Sequence, residues 1–230
     1  MNMKKLRYFT KAELALWLGS LLLIAGSFVI FDRENYMTLT ASLIGATSLI
    51  FCAKGNPIGQ VLIIIFSIFY GIISYSFSYY GEMITYLGMS APMAAVALVS
   101  WLRNPYKGDR SQVKVGSVKG REILFMLALT AVVTVVFYFI LGYFHTANLL
   151  TSTFSVTTSF IAVYLTFRRS PFYALAYAVN DAVLIVLWVL AAMEDVSYLS
   201  VIICFVTFLV NDIYGFVNWL RMRKRQKAGK

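Results

Sequence analysis

Charged residues are scarce in this chain of 230 residues: they make up 13% of it, whereas 60% of the residues are hydrophobic. A soluble domain of this size carries about 25% charged residues. The deficit excludes an ordinary water-soluble domain and is typical of a chain whose surface faces lipid. At this length we expect one domain over residues 1–230.

Residue types that carry out common enzyme chemistry are also few. The only histidine is His145, so a histidine-based triad or metal cluster cannot form inside the apolar runs. The glycine-containing stretch 55–60 lacks the Lys-Ser/Thr of a phosphate-binding loop. The two cysteines, Cys52 and Cys204, fall inside apolar runs and imply no disulfide framework. We therefore expect no enzyme, no cofactor and no metal site.

The formal net charge of +10 could suggest nucleic acid, but the basic residues sit in short segments between long apolar runs, as membrane-flanking loops do. We expect no nucleic-acid partner. About 20 apolar helical residues span the hydrocarbon core of a bilayer. Spanning helices are predicted over 12–31, 38–53, 58–80, 83–102, 122–143, 148–167, 172–193 and 196–220. The sequence thus predicts an all-α, polytopic membrane protein in contact with the lipid bilayer.

Lysine and arginine lie almost entirely on one side of these spans. With the N-terminus inside, 19 of the 20 fall in inner segments, Lys4, Lys5 and Arg7 among them, and Arg33 alone lies outside. Cytoplasmic loops carry such an excess. We therefore expect a multi-pass protein of the plasma (inner) membrane with both termini in the cytoplasm. The outer loops carry acidic residues instead: Asp32, Glu34, Glu82, Glu194 and Asp195.

Short matches between the two halves of the chain predict an internal repeat. The Trp-Leu-Arg sequence that begins at Trp101 ends the fourth helix, and the one at Trp219 ends the eighth. Pro57 and Pro171, 114 residues apart, precede the third and seventh helices. The helices then divide as one, three, one and three, with parallel triplets over 38–102 and 148–220 and a linker helix over 122–143. The alternative is that Trp and Arg are common helix-end anchors.

Two polar pairs interrupt the apolar runs: Asn180-Asp181 in the seventh helix and Asn211-Asp212 in the eighth. A carboxylate in the hydrocarbon region costs about 2.5–3.5 kcal/mol on insertion scales, and such residues usually mark a solute or ion pathway. No lysine or arginine falls within a predicted span. Each aspartate must therefore be protonated, solvated in a cavity or paired with a cation from outside. The alternative is Asp–Asn hydrogen bonding that serves helix packing alone.

Aromatic and polar side chains recur around these pairs at three- and four-residue steps, so each set shares one helix face. The sets are Tyr173, Tyr177, Asp181, Leu184 and Trp188 on the seventh helix; Thr207, Asn211, Tyr214 and Asn218 on the eighth; Gln60, Ser67, Gly71, Ser74 and Ser78, with Tyr70 beside them, on the third; and Thr151, Ser155 and Ser159 on the sixth. Small polar stripes are also common packing faces. Together the sets favour an interior suited to a flat, cationic, hydroxylated solute. Pro92 predicts a kink in the fourth helix, either static or hinge-like.

Several short motifs stand in a fixed order along the chain: Asn56-Pro57-Ile58-Gly59, Tyr80-Gly81-Glu82-Met83, Trp101, and the stretch 211–219. In this order they resemble the motifs of the PnuC-type vitamin transporters. The resemblance covers roughly residues 38–220 and implies two three-helix bundles joined by a linker helix, related to SWEET-type sugar facilitators. It also implies a homotrimer and facilitated diffusion of nicotinamide riboside, trapped by cytoplasmic phosphorylation. Its substrate site, carried over by motif position, implicates Asn180, Trp188, Asn211, Tyr214 and Gln60.

The start of the seventh helix departs from that pattern, because Tyr173 and Tyr177 stand where many nicotinamide riboside carriers have tryptophan. A carrier of another vitamin such as thiamine or riboflavin, with or without proton coupling through Asp181 or Asp212, is the alternative. A non-transport membrane scaffold is the second alternative. The predicted substrate-binding residues are Gln60, Tyr70, Tyr173, Tyr177, Asn180, Asp181, Trp188, Asn211, Asp212, Tyr214 and Asn218.

Overall fold

Eight long helices dominate the computed structural model, which describes residues 8–76, 80–146, 148–193 and 195–229. Lys4, Lys5, Arg7, Ser78 and Glu194, which enter the sequence predictions, lie outside these ranges. The helices are Lys11–Phe31, Tyr36–Ala53, Ile58–Ser76, Tyr80–Leu102, Gly120–Tyr143, Leu149–Phe167, Phe172–Ala192 and Leu199–Ala228, the last entered through the 3-10 turn Val196–Tyr198. Each is long and apolar enough to cross a membrane, which confirms the predicted all-α, eight-span fold class.

The predicted helix ends are wrong at two places. Tyr80 begins the fourth helix, whereas the prediction ended the third helix there. The eighth helix continues to Ala228, well beyond the predicted end at residue 220. This extension is anchored by Gln226, whose Nε2 donates to the Val113 carbonyl at 3.0 Å and whose Oε1 accepts from the Val115 N–H at 2.8 Å. Hydropathy cannot predict this extension, because polar contacts stabilise it.

Six of the helices form a closed ring. The second, third and fourth pack against each other in chain order, as do the sixth, seventh and eighth. The fourth helix then packs against the sixth, and the eighth against the second, so two seams join the triplets. The first helix lies outside the ring against the second and eighth, and the fifth lies outside it against the sixth. A ring of six helices can enclose a site along its axis.

The fifth and sixth helices differ most in burial. Only 11% of the most apolar 18-residue stretch of the fifth helix is buried, against 67% for the sixth. Large apolar side chains of the fifth helix, such as Phe125 and Phe139, are exposed. A helix that is apolar all round needs an apolar environment on every side. The fifth helix therefore lies at the apolar outer surface of this chain, and the sixth is the most enclosed of the eight.

A tryptophan closes each seam of the ring in the same way. The indole Nε1 of Trp101, near the end of the fourth helix, donates to the Thr166 carbonyl at 2.9 Å. The Nε1 of Trp219, in the eighth helix, donates to the Cys52 carbonyl at 2.8 Å. Both acceptors lie in the last turn of a helix, where carbonyls have no partner within the helix. The two indole rings lie 5.4 Å apart, so the seams meet at one aromatic cluster.

The chain leaves the second and sixth helices through matching turns. Gly55 and Arg169, 114 residues apart, both adopt a left-handed conformation, with φ of 69° and 56°. This is the usual way to end a helix, and glycine adopts it without steric cost. The carbonyl of Gly55 accepts from the Val113 N–H at 2.9 Å, and that of Arg169 from the Gly116 N–H at 2.9 Å. One segment thus ties both turns together.

That segment contains a small β-hairpin, which the sequence did not predict. Strands β1 (Pro105–Tyr106) and β2 (Asp109–Val113) pair in antiparallel fashion. Lys107 and Gly108 between them both have positive φ, 51° and 81°, as a two-residue hairpin turn of type I′ requires. The helix ends on this side are called the hairpin end below, and those on the other side the opposite end.

The kink expected at Pro92 takes the form of a π-helical segment directly before it. Thr85–Ser90 forms π-type turns directly before Ala91–Leu102, in which Pro92 is the second residue. The Ala91 N–H reaches back to the Tyr86 carbonyl, five residues earlier. Proline lacks a donor and its ring clashes with the carbonyl of the preceding turn, and π-bulges are a common accommodation. The wider turn brings Tyr86 and Ser90 to the inside of the ring.

The first and fifth helices are held by equivalent ion pairs. Glu13, in the first turn of the first helix, pairs with Lys54, which ends the second helix, at 3.0 Å. Glu122, in the first turn of the fifth helix, pairs with Arg168, which ends the sixth. Lys54 and Arg168 are again 114 residues apart. The sequence left the first helix without a counterpart, and the structure gives it the same attachment as the fifth.

Candidate functional site

A cavity of about 80 Å³ lies inside the ring, and each of the six ring helices contributes to its wall. The lining residues are Gly45, Ser48, Leu49 and Cys52 from the second helix; Ile63, Phe66 and Ser67 from the third; Tyr86 and Ser90 from the fourth; Ser159 from the sixth; Tyr173, Tyr177, Asn180, Asp181 and Leu184 from the seventh; and Phe205, Phe208 and Asp212 from the eighth. This space is called the central cavity below. Five of the eleven predicted site residues line it: Tyr173, Tyr177, Asn180, Asp181 and Asp212.

Two buried carboxyl groups dominate the charge of the central cavity. Asp181 is 4% exposed and Asp212 is 5% exposed. The two side chains lie close enough to interact, and Asp181 Oδ2 has no hydrogen-bond partner among the described residues. None of the described lining residues is lysine or arginine. Uncompensated buried charge is costly, so this arrangement favours a cation or a proton between the carboxyl groups.

Asn180 is oriented by the sixth helix. Its Oδ1 accepts hydrogen bonds from Thr158 Oγ1 at 2.8 Å and from Ser155 Oγ at 3.4 Å. Ser155 belongs to the polar stripe that the sequence predicts on one face of that helix, whereas Thr158 was not part of that stripe. Because these two donors occupy the carbonyl oxygen, the amide NH₂ of Asn180 is the group left for other partners. A hydroxylated solute is one such partner.

Aromatic rings close the central cavity at both ends. Towards the hairpin end, Tyr173 lies edge-on to Trp219, with ring centres 5.0 Å apart, and to Tyr177 at 6.2 Å. Towards the opposite end, Phe66 lies 6.0 Å from both Tyr86 and Phe208. Aromatic faces attract cations, most strongly where water is excluded. The rings and the carboxyl groups therefore favour the same kind of solute, a flat cation.

Four of the other predicted site residues are engaged elsewhere. Gln60 is buried behind the wall, where Nε2 contacts Cys52 Sγ at 3.3 Å. Asn211 faces the first helix and donates to Ser20 Oγ at 2.8 Å. The hydroxyl of Tyr214 donates to Glu13 Oε1 at 3.1 Å, and Asn218 Nδ2 donates to the Ala53 carbonyl at 2.8 Å. The structure thus gives all four partners within the protein and places them outside the central cavity.

The last two, Trp188 and Tyr70, lie at the opposite end of the ring. Cavities of about 400 Å³ and 120 Å³ lie there, and both are lined by Glu82, Trp188, Asp195 and Tyr198. These four residues are called the acidic vestibule below. The rings of Trp188 and Tyr198 stand 5.3 Å apart, and Tyr70 lines the smaller cavity.

Asp195 keeps its negative charge over a wide range of pH. The backbone N–H of Ser197 donates to its Oδ1 at 2.9 Å, which holds the pKa of this carboxyl below its usual range. Asp195 is thus ionised at any pH near neutrality. The acidic vestibule is therefore an aromatic, negatively charged approach to the ring.

Sequence reasoning missed several residues of the site. The central cavity includes Gly45 and Ser48 from the second helix and Tyr86 from the π segment, and isolated residues of these types in an apolar run do not by themselves indicate a binding site. Glu13 was also missed, although Thr10-x-x-Glu13 is a capping-box pattern that both side chains complete. That pattern predicts the helix start, whereas the pairing of Glu13 with Lys54, 41 residues away, depends on tertiary structure.

Known proteins share this architecture. The family model described as nicotinamide mononucleotide transporter matches residues 35–221. The chain belongs to this family. It is 27% identical over 219 residues to the nicotinamide riboside transporter PnuC of Neisseria mucosa (strain ATCC 25996 / DSM 4631 / NCTC 10774 / M26), a match that spans 93% of this chain and 83% of that protein. The resemblance to PnuC-type transporters is therefore confirmed.

A solved structure of a family member has the same fold. The crystal structure of the vitamin B3 transporter PnuC superposes with a TM-score of 0.82 at 26% identity, covering 95% of this chain and 94% of that one. These relatives are named transporters, in agreement with the expectation that this family member is not an enzyme. It is a multi-pass membrane protein of a transporter family.

Proposed function

We propose that this protein carries nicotinamide riboside across the membrane by facilitated diffusion through the central cavity. The observation that carries the proposal is the Asp181–Asp212 pair, buried inside the ring and facing no cation among the described lining residues. The pyridinium of nicotinamide riboside supplies one positive charge on a flat ring. Its charge offsets the carboxyl groups, and the surrounding tyrosines and phenylalanines contact the ring faces.

The uncharged polar groups of the central cavity suit the ribose. Asn180 offers its NH₂ group, and Ser67, from the facing third helix, has a buried Oγ without a hydrogen-bond partner among the described residues. A buried polar group without a partner is destabilising, so a ribose hydroxyl at either position is favoured. Such groups discriminate strongly against a solute that lacks the ribose hydroxyl, because that solute leaves them without a hydrogen-bond partner.

A phosphorylated solute is disfavoured at the same place. The phosphate of nicotinamide mononucleotide would meet Asp181 and Asp212 and no described lysine or arginine. Like charges at close range in a medium of low dielectric repel strongly. We therefore infer that the riboside, and not the mononucleotide, is the solute of the central cavity.

The central cavity must widen during transport. Its volume is about 80 Å³, whereas sites for small molecules measure about 300–1,000 Å³. The structure therefore corresponds to a closed conformation. The ring of Tyr173 is among those that cover the hairpin end of the central cavity, and the ring of Phe66 is among those that cover the opposite end. Opening at either end requires these aromatic side chains to separate, which gives the alternating access that carriers need.

Net uptake follows the concentration gradient of the riboside, and the membrane topology that we propose sets which end of the ring meets each side. The basic hairpin end faces the cytoplasm of a plasma (inner) membrane and the acidic vestibule faces outwards, as the positive-inside rule requires. Phosphorylation by a cytoplasmic kinase keeps the internal riboside concentration low, so no ion gradient is needed. We further propose a homotrimer, as the resemblance to PnuC-type carriers implies.

Uptake of labelled nicotinamide riboside into liposomes that contain the purified protein tests the proposal. We expect saturable uptake without an ion gradient, competed by unlabelled riboside but not by nicotinamide mononucleotide. Uptake no faster than into protein-free liposomes, or uptake that only thiamine competes, would contradict it.

Proton-coupled carriage of another cationic vitamin, such as thiamine, is the second candidate. Two adjacent carboxyl groups without a cation can also hold a proton, which favours this possibility. It predicts uptake that follows an imposed pH gradient and loses that dependence in Asp181→Asn or Asp212→Asn. Uptake that ignores the gradient in the unmodified protein excludes it.

A further inference from the structure

A second cavity, of about 870 Å³, opens at the hairpin end and shares no lining residue with the central cavity. Four parts of the chain enclose it. They are the segment before and at the start of the first helix, Lys54 at the end of the second helix, strand β2, and the eighth helix from Tyr214 onwards. It is called the basic cavity below.

One face of the eighth helix forms its longest wall. Tyr214, Asn218, Arg221 and Arg225 follow each other at steps of three and four residues, and all four line the basic cavity, with Lys224 beside them. The other side of this helix is fixed, because Gln226 is hydrogen-bonded to Val113 at the end of β2 and to Val115. The basic side chains are therefore held towards the cavity.

The charges of the basic cavity do not balance among themselves. Glu13 is neutralised by Lys54 at 3.0 Å. Arg221, Lys224 and Arg225 take part in no ion pair within the described part of the chain, and Asp109 is the remaining acidic residue of the lining. Asp109 already accepts from the backbone N–H and the hydroxyl of Ser111, at 2.8 and 2.7 Å. A concave surface with unpaired cations concentrates anions.

We propose that the basic cavity is a binding site for a phosphate-bearing ligand on the cytoplasmic side. The guanidinium groups of Arg221 and Arg225 match phosphate oxygens in pairs, and Lys224 adds charge. The volume also admits a sugar and a base, which the rings of Tyr8 and Tyr214 border. The ligand class that fits is a nucleoside monophosphate, and the phosphate of a lipid headgroup shares the same chemistry.

The site has a consequence for transport that rests on the proposed function. A carrier whose solute is phosphorylated in the cytoplasm is exposed there to the monophosphate product. The cavity floor holds the contact of Tyr214 with Glu13, which joins the eighth helix to the first. A ligand that bridges the eighth helix and β2 restrains these elements, so the product slows uptake.

Binding of nicotinamide mononucleotide to the purified full-length protein, in a detergent with an uncharged headgroup, tests the site. We expect saturable binding that weakens with salt and that Arg221→Gln/Arg225→Gln reduces by about tenfold or more, since charge-assisted bonds to phosphate are strong. The matched control is Arg103→Gln/Lys119→Gln, which removes the same charge at the same end from exposed residues outside the basic cavity. It should change the affinity by less than about twofold, because neither residue lines the basic cavity and solvent screens charges at a distance.

Further measurements distinguish a lipid headgroup from a nucleotide as the bound phosphate, and test the binding site separately from the proposed transport function. In nanodiscs, phosphatidylglycerol that displaces the mononucleotide, with the same dependence on Arg221 and Arg225, identifies a lipid headgroup as the natural occupant. No saturable binding, or equal loss in both double variants, overturns the site. Uptake of nicotinamide riboside is measured separately. Its absence beside intact mononucleotide binding overturns the proposed function alone, and uptake that internal mononucleotide does not slow overturns the inhibition.

Discussion

The two helix triplets of the ring have matching ends but different interiors. At the hairpin end, Trp101 and Trp219 make the same carbonyl contact, and Gly55 and Arg169 make the same turn. The two triplets differ in the middle of their helices. At the 114-residue offset Asp181 falls on Ser67, and both line the central cavity. The shared ends form a scaffold, and the asymmetric interior puts the negative charge on one wall.

This comparison supports the predicted parallel repeat, which stays a prediction. The ion pairs Glu13–Lys54 and Glu122–Arg168 extend the likeness to the first and fifth helices. The halves therefore resemble each other as four and four helices, beyond the two triplets that the sequence suggested. Both triplets line the same cavity, so the carboxyl groups of one triplet set its charge.

The largest effect is expected where the triplets differ. Asp181→Asn should slow riboside uptake by about 30-fold or more, since truncating one partner of a buried charge pair costs about 2–5 kcal/mol. Ser67→Ala, at the matching position, removes one neutral hydrogen bond and should cost about 1 kcal/mol, or roughly fivefold. Initial rates in proteoliposomes, normalised to the amount of folded protein, measure both. Equal losses would show that charge is not what distinguishes the walls.

Moving the charge across the ring sharpens the same point. Ser67→Asp combined with Asp181→Ser returns one carboxyl group to the central cavity from the facing wall. We expect it to recover part of the uptake that Asp181→Ser alone has lost, because Asp212 again has an acidic neighbour. Uptake no better than that of the single variant contradicts the equivalence of the two positions.

A smaller, equal effect is expected where the triplets match. Trp101→Phe and Trp219→Phe each remove one buried hydrogen bond, at a cost of about 0.5–1.5 kcal/mol, because each carbonyl keeps a second donor, the N–H of Arg169 or of Gly55. The midpoint of thermal unfolding in detergent should fall by about 1–6 °C in each case, at about 2–4 °C per kcal/mol for a chain of this size. A lower unfolding midpoint in only one of the two variants would show that the two seams are not equivalent.

The outer helices provide the smallest test. Glu13 is 3% exposed and accepts from both Lys54 and Tyr214, whereas Glu122 is 21% exposed. Glu13→Gln should therefore lower stability by about 1 kcal/mol, and Glu122→Gln by less than about 0.5 kcal/mol, as at a surface pair. Thermal unfolding midpoints measure the difference, and the opposite ranking would contradict it.

Local sequence signals predicted most of the scaffold. Hydropathy located all eight spans, because a helix in lipid must be apolar along its whole length. Asp181 and Asp212 were found because a carboxyl group inside such a run is exceptional. The hairpin turn at Lys107-Gly108, the π segment before Pro92 and the anchor at Gln226 were not predicted. Each depends on contacts between residues distant in sequence or on backbone geometry that composition does not reveal.

The polar pairs show where helix geometry limits such predictions. Neighbouring residues on a helix point about 100° apart. Asn180 and Asp181 both reach the central cavity, whereas Asp212 faces it and Asn211 faces Ser20 of the first helix. The sequence could not decide this, because it assigned the first helix no place beside the eighth. The same holds for Tyr214, which bonds to Glu13 of the first helix, whereas Asn218 bonds to Ala53 of the second helix.

The central claim is that Asp181 and Asp212 select a cation inside the ring. Equilibrium binding of nicotinamide riboside and of its uncharged dihydro form to the purified protein tests it most directly. We predict that the cation binds at least about tenfold more tightly, since a desolvated ion pair in the cavity is lost with the uncharged ring. We also predict that the double variant Asp181→Asn/Asp212→Asn has a smaller difference in affinity between the cationic and the uncharged form. Equal affinities of the two forms for the unmodified protein would contradict the account.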